Sequence, residues 1–131
     1  MKLGFEEAPT PYESGSQRAR AWTEAWVRDQ AFCPSCGHVS MTQFAANRPV
    51  ADFYCTRCSE EYELKSQKAN FGNKVVDGAA SAMRARLAES NAPNFMFMSY
   101  DVRQLTVRHL MVVPKHFVRP DVIEERRRSA R

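Results

Sequence analysis

The chain has 131 residues, of which 44% are hydrophobic and 26% are charged, a composition typical of one globular domain. No apolar stretch approaches the ~18 residues that a membrane helix needs, and the N-terminal segment lacks the apolar core of a secretory signal. We therefore expect a cytoplasmic protein without a membrane partner. The net charge of +4 favours an anionic partner only weakly, because mildly basic surfaces are common.

The first predicted element is a helix over residues 16–30, which follows an irregular N-terminal arm. Ala19, Trp22 and Trp26 recur at helical spacing and share one face. We expect this face to be buried, so both tryptophans are assigned to the core and not to a platform on which bases stack.

A second face of the same helix carries Arg20, Glu24 and Arg28 at i, i+4 spacing. We interpret this pattern as the ion-pair ladder of an exposed helix, because such pairs are common on solvated helix surfaces. The alternative is functional. In that case Glu24 would approach a metal site and the arginines would approach phosphates.

Alternating residues predict two strands, over 49–55 and 60–66, that are joined by a tight turn. Successive side chains of a strand point to opposite faces. Asp52 lies on the first strand, and Glu63 and Lys65 share one face of the second. On adjacent antiparallel strands these three side chains can converge.

The second half of the chain predicts two more helices and two more strands. A helix is expected over residues 74–90 and another over residues 119–131. The nearly continuous apolar run at 95–100 suits a central strand that is covered on both faces. A further strand is expected over 106–113, and Pro114 ends it.

Four cysteines form two C-x-x-C pairs with eighteen residues between the pairs: Cys33, Cys36, Cys55 and Cys58. Each C-x-x-C turn can direct two thiolates at one point, and two turns complete a tetrahedron around Zn²⁺. A closed four-sulfur shell has no open position, so we predict a structural zinc. Disulfides or a redox pair are the alternative, which a cytoplasmic location disfavours. His38 is expected to lie in the turn and not to bind the metal.

Asp52, Glu63 and Lys65 form the candidate catalytic group. Two carboxylates supply the oxygen ligands that Mg²⁺ prefers. A neighbouring lysine can orient or help to deprotonate an attacking water and can stabilise charge on a phosphate. Spacing alone does not separate this interpretation from a solvated charged face, because such a motif depends on its structural context.

The segments CPSCG, RPVADFYC, CSEEYELKS, PNFMFMSY and VVPKHFV resemble the catalytic domain of the DpnI and dam-replacing family of methyl-directed restriction endonucleases. The resemblance runs through most of the chain. It implies an α/β fold of the restriction-endonuclease PD-(D/E)xK type, in which helices flank a mixed sheet and residues 33–58 form a zinc-bound hairpin. It further implies that Asp52 and Glu63 bind Mg²⁺ and that Lys65 is the active-site lysine. We expect the Leu64 carbonyl to join the two carboxylates as a ligand.

The resemblance also implies an activity, namely Mg²⁺-dependent cleavage of double-stranded DNA at G-A-T-C sites whose adenine is N6-methylated. In the family, a winged-helix DNA-binding domain follows the catalytic domain. We expect residues 1–131 to form the nuclease domain alone, so that sequence recognition would need a separate domain or partner. The alternative from another class is a non-catalytic zinc-ribbon module that binds nucleic acid, or a truncated remnant. Asp52, Glu63 and Lys65 would then be surface charge only.

Overall fold

The structure is a computed structural model that describes residues 2–5, 15–45, 51–71 and 92–117. The predicted helices over 74–90 and 119–131 lie outside these residues. The described part of the chain contains one α-helix, five strands and a short 3-10 turn: α1 (Gly15–Gln30), β1 (Thr42–Gln43), β2 (Phe53–Tyr54), β3 (Glu61–Gln67), β4 (Asn94–Asp101), β5 (Thr106–Val113) and the turn at Lys115–Phe117. The fold class is α/β, as predicted.

The five strands form one mixed sheet in the order β1-β2-β3-β4-β5. The β3–β4 pair is parallel, and the other three pairs are antiparallel. β4 lies between β3 and β5 and is buried along nearly all of its length, which confirms the prediction of a central strand from its apolar run. The predicted strands over 60–66 and 106–113 correspond to β3, which begins one residue later, and to β5.

Two parts of the sheet differ from the prediction. Of the strand expected over 49–55, residues 49 and 50 lie outside the described residues, and within 51–55 the strand β2 comprises Phe53–Tyr54. β1, at Thr42–Gln43, lies in a segment for which no strand was predicted. Both strands are two residues long, so neither carries enough alternation to be recognised from sequence.

The helix α1 packs on one face of the sheet through its tryptophans and Val27. Trp26 and Val27 are buried, and Trp22 packs against the same cluster, which confirms the assignment of both tryptophans to the core. The Trp26 indole N–H donates to the Lys2 carbonyl at 2.8 Å, so its polar atom is satisfied within the core. Burial of side chains of this size contributes about 1.5–3 kcal/mol each.

Residues 2–5, which were expected to belong to an irregular arm, pair with the start of β5. The Phe5 N–H donates to the Leu105 carbonyl at 2.7 Å, and the Val107 N–H donates to the Leu3 carbonyl at 2.9 Å. This short segment therefore extends the sheet beside the start of β5. No helix among the residues that the structure describes is both long enough and apolar enough to cross a membrane.

Candidate metal centre and active site

The four cysteines form a compact cluster. Their sulfur atoms all lie within 4.8 Å of one another. The Cys33 and Cys58 sulfurs are 3.7 Å apart, and the Cys36 and Cys55 sulfurs are 3.6 Å apart. A tetrahedron with Zn–S bonds of about 2.3 Å has edges of about 3.8 Å. The donor set and its spacing therefore fit a zinc ion, with no ligand required from His38.

The two C-x-x-C turns are built alike, and we call residues 33–37 and 55–59 the first and second knuckle. In the first, the Gly37 N–H donates to the carbonyl of the first cysteine at 2.8 Å. In the second, the Ser59 N–H makes the equivalent bond at 2.9 Å. Gly37 and Ser59 both have positive φ angles, 78° and 67°. The second knuckle thus places a non-glycine residue in a conformation that favours glycine.

Tyr62 connects the cysteine cluster to β3. Its hydroxyl lies 3.4 Å from the Cys33 sulfur and 2.8 Å from the Ser35 hydroxyl. Burial raises the pKa of the Cys33 thiol, but hydrogen bonds from Tyr62 and from neighbouring backbone amides outweigh it and lower that pKa to about 6. The thiolate is the form that binds a metal. Because Glu63 is the next residue of β3, this contact also ties the cluster to the carboxylate site.

Asp52 lies directly before β2 and is held by the backbone of β3. Its N–H donates to the Tyr62 carbonyl at 3.0 Å, and its carboxylate oxygen Oδ2 accepts the Leu64 N–H at 2.7 Å. A side-chain oxygen, and not a backbone carbonyl, thus accepts the Leu64 N–H at this position. Charge-assisted bonds of this kind fix a carboxylate firmly.

The helix α1 brings a second carboxylate to the same place. The Arg20 Nε donates to Glu24 Oε2 at 2.6 Å, and the Arg20 Nη2 lies 3.8 Å from Asp52 Oδ1. The other oxygen of Glu24 accepts the side-chain amide of Gln43, on β1, at 2.8 Å. Only 16% of the Glu24 side chain and 20% of the Asp52 side chain are exposed. Glu24 and Asp52 therefore lie near each other, with Arg20 as a shared partner.

The expected ion-pair ladder along α1 is correct only in its first pair. Arg20 pairs with Glu24, but Arg28 pairs with Asp29 at 2.9 Å. Gln43, on β1, contacts both residues: its amide N–H donates to Glu24 Oε1 at 2.8 Å, and its side-chain oxygen lies 3.5 Å from Arg28 Nη1. The structure thus brings Glu24 close to Asp52 through Arg20, and a role for Glu24 at a metal site stays a hypothesis.

Glu63 and Lys65 lie together on the face of β3 that was predicted for them. The Lys65 Nζ is 3.5 Å from Glu63 Oε2, and about a quarter of each side chain is exposed. Tyr62 and Leu64, which alternate with them, pack into the core. This alternation confirms the predicted orientation of the strand.

The electrostatics of Asp52 reflect all of these neighbours. Burial raises its pKa above the ordinary value, the Leu64 amide opposes that shift, and the charge of Glu24 adds to it. The positive charges of Arg20 and Lys65 act in the opposite direction without cancelling the rise. A carboxyl group whose pKa is perturbed by burial and by nearby charges is a candidate functional group, because burial of a carboxylate is unfavourable and is seldom needed for folding alone.

The carboxylates are arranged more openly than the cysteines. Within the described ranges, the cysteine cluster is the one group of three or more potential ligands whose donor atoms lie within 4.8 Å of one another. Mg²⁺ keeps several waters and is usually bound through one or two carboxylates, so a looser oxygen set suits it. Asp52 and Glu63, with Glu24 near Asp52, are the candidate ligands for such a cation.

A comparison with known protein families gives an independent result. The family model described as "DpnI: Dam-replacing family" matches residues 1–131. The match includes both knuckles, the Asp52 position and the Glu63–Lys65 pair. It also includes α1, which supplies Glu24.

Proposed function

The chain belongs to the Dam-replacing family of DpnI, a family of restriction endonucleases, and on that premise we propose that it is a Mg²⁺-dependent endonuclease of type II. Its substrate in this proposal is double-stranded DNA with N6-methylated adenine in G-A-T-C. The observation that carries the proposal is the Asp52 carboxylate, which the Leu64 amide holds at 2.7 Å beside a strand that presents Glu63 and Lys65.

Asp52 and Glu63 are the proposed Mg²⁺ ligands, together with the carbonyl of Leu64. The N–H and C=O of one residue in an extended strand point to the same side. Because the Leu64 N–H reaches Asp52, the Leu64 carbonyl is expected on the same side of β3. Two carboxylates and one carbonyl leave room for the waters that Mg²⁺ retains.

Lys65 is the proposed partner of the attacking water. Its amine lies 3.5 Å from Glu63 and close enough to Asp52 to affect that carboxyl group. From there it can orient the water or help to remove its proton while the water oxygen attacks phosphorus and the 3′-oxygen leaves. Bound Mg²⁺ supplies Lewis-acid stabilisation of the charge that develops on the phosphate.

The zinc centre has a structural role in this proposal. Cys55 follows Asp52 by three residues, and Cys58 precedes Glu63 by five. A zinc ion on the four cysteines would fix the turn between the two arms and so set the separation of the carboxylates. The Tyr62 hydroxyl, 3.4 Å from the Cys33 sulfur, extends this restraint into β3.

A non-catalytic nucleic-acid-binding module is less consistent with the geometry. In that case Asp52, Glu63 and Lys65 would be solvated surface charges. Asp52 instead has a side chain that is 20% exposed and a pKa that burial raises. Surface charge selected only for solubility or DNA contact does not require a carboxylate in such a position.

A paired cleavage assay tests the proposal. Zinc-loaded protein is incubated with adenine-methylated and unmethylated copies of one plasmid, with Mg²⁺ or with no divalent cation added. We expect cleavage of the methylated plasmid in Mg²⁺ and none by Asp52→Asn. Intact methylated plasmid after incubation with folded, zinc-loaded protein would contradict the proposal, as would equal cleavage by the variant. If a separate domain reads the methyl mark, cleavage of both plasmids would retain the nuclease and remove the specificity.

A further inference from the structure

The side chain of Arg20 covers the two most protected carboxylates of the site. Its guanidinium contacts Glu24 at 2.6 Å and lies 3.8 Å from Asp52. The Arg20 side chain is 66% exposed, whereas those of Glu24 and Asp52 are 16% and 20% exposed. Arg20 therefore lies on the solvent side of both acids, where a ligand would approach.

Each of these two carboxylates has one oxygen fixed by a neutral donor from the sheet and the other near Arg20. Glu24 Oε1 accepts the Gln43 amide at 2.8 Å, and Asp52 Oδ2 accepts the Leu64 N–H at 2.7 Å. Glu24 Oε2 and Asp52 Oδ1 are the oxygens that Arg20 approaches. Movement of Arg20 would leave both carboxylates oriented by the sheet.

A divalent cation held by Asp52 and Glu63 would compete with the guanidinium for Asp52 and would repel its positive charge. A divalent ion carries twice the charge in a smaller volume, and the guanidinium is on a long side chain that already extends into solvent. A phosphate of bound DNA would arrive beside this ion, and guanidinium groups pair with phosphate through two parallel hydrogen bonds. The displaced side chain would then have a new partner at the same edge.

We propose that Arg20 alternates between two partners: it holds Glu24 and Asp52 in the free protein and moves to a DNA phosphate when a divalent cation binds. This proposal rests on the proposed nuclease function and deepens it by assigning a substrate-binding role to Arg20. It has a specific signature. Removal of the charge at this position should strengthen cation binding and weaken DNA binding, whereas loss of a merely structural residue would weaken both.

Titration of Mn²⁺ into zinc-loaded protein without DNA tests the first half. Arg20→Met keeps much of the side-chain volume and removes the charge. We expect it to bind Mn²⁺ about two- to fivefold more tightly than the wild type, the range set by an exposed ion pair. Asp52→Asn should lose this binding, which locates the ion. Unchanged or weaker Mn²⁺ binding by Arg20→Met would overturn the proposal.

Cleavage of an adenine-methylated duplex at saturating Mn²⁺ tests the second half. Arg20→Met should raise the KM for DNA about tenfold or more, as expected for loss of a charged hydrogen bond, with a smaller change in kcat. Arg20→Lys, which keeps the charge without the planar fork, should fall between the two. A KM equal to that of the wild type would overturn the assignment of a phosphate contact.

Arg108 provides the matched control. It is also an exposed arginine paired with an aspartate, Asp101, at 3.3 Å. In the β3–β4 register Glu63 is opposite Phe95, and Asp101 lies six residues further along β4, or about 20 Å. Arg108→Met should change neither Mn²⁺ affinity nor KM. Tighter Mn²⁺ binding by Arg20→Met in a protein that cleaves no DNA would refute the nuclease and its phosphate contact, and would leave only the competition for Asp52.

Discussion

The four-cysteine cluster and the carboxylate site lie at opposite ends of one short hairpin, and they are held in opposite ways. The four sulfurs face one another within 4.8 Å. The carboxylates are instead engaged by the protein's own donors, among which are Arg20, Gln43 and the Leu64 amide. The cysteine cluster is closed, because its four sulfurs surround one point. The carboxylate site faces solvent on one side, and the exposed side chain of Arg20 lies across that side.

The cysteine cluster and the carboxylate site are therefore expected to affect stability differently. Structural zinc binds a site that does not exist in the unfolded chain, so its binding free energy contributes directly to folding. The buried carboxylate of Asp52 has the opposite effect, because burial raises its pKa and so disfavours the charged form in the folded state. Substitutions at the two ends should therefore change stability in opposite directions.

The largest expected effect is that of Cys55→Ser. Structural zinc contributes an apparent ~10–16 kcal/mol in small zinc domains, more than the net stability of most proteins. We therefore expect loss of zinc, of the cooperative thermal transition and of cleavage together. Thr56→Ala, at the adjacent exposed position, is the control. Elemental analysis and thermal melting decide it, and a variant with one zinc and an unchanged Tm would count against a closed four-sulfur site.

The next effect separates activity from folding. Asp52→Asn and Glu63→Gln should each lower the cleavage rate by about a thousandfold or more, because a metal contributes several kcal/mol to the transition state. The Tm should stay the same or rise. Glu61→Gln, on the same face of β3, should keep its activity. Substantial Mg²⁺-dependent cleavage by both the Asp52 and the Glu63 variants would remove these residues from the active site.

Measuring the free energy of unfolding as a function of pH tests whether burial of Asp52 lowers the stability of the protein. Because the folded-state pKa of Asp52 is raised, the folded protein binds this proton more tightly than the unfolded chain does. The stability that Asp52 contributes is thus present at low pH and is lost as pH rises through the folded-state pKa. Without divalent cations, the advantage of Asp52→Asn over the wild type in free energy of unfolding should grow between acid and neutral pH. A constant difference would mean that burial does not perturb Asp52.

The smallest effect compares the two knuckles. Ser59→Gly should raise the free energy of unfolding by up to about 1 kcal/mol, because a non-glycine residue at positive φ is strained. Gly37→Ala should lower it by about 1 kcal/mol or slightly more. A Cβ at Gly37 would meet nothing within 4 Å, so this cost is conformational and not steric. Denaturant unfolding measures both, and changes of the same sign would show that the knuckles are not equivalent.

The sequence predicted those features that depend on local periodicity or on fixed spacing. The period of α1 placed Trp22 and Trp26 in the core, and the alternation of β3 placed Glu63 and Lys65 on one face. The spacing of the cysteines predicted the cluster, because a C-x-x-C turn fixes its own geometry. That zinc occupies this cluster, and that Mg²⁺ binds the carboxylates, stay predictions.

The features that the sequence did not reveal depend on contacts between distant segments. Glu24 was assigned to a ladder because i, i+4 spacing describes only the helix itself. Its position is set by Gln43 on β1, a strand of two residues without a period to detect. The Asp52 carboxylate likewise accepts the N–H of Leu64, twelve residues further along the chain, a contact that no local period predicts.

The most direct test of two separate metal sites is a crystal of the zinc-loaded protein soaked in Mn²⁺, with anomalous scattering recorded at both metal edges. We expect a zinc peak at the centre of the four cysteines. We also expect a manganese peak between Asp52 and Glu63, within about 2.5 Å of the Leu64 carbonyl oxygen. Manganese at the cysteines, or no manganese at the carboxylates of a soaked, well-ordered crystal, would contradict the assignment of two separate metal sites.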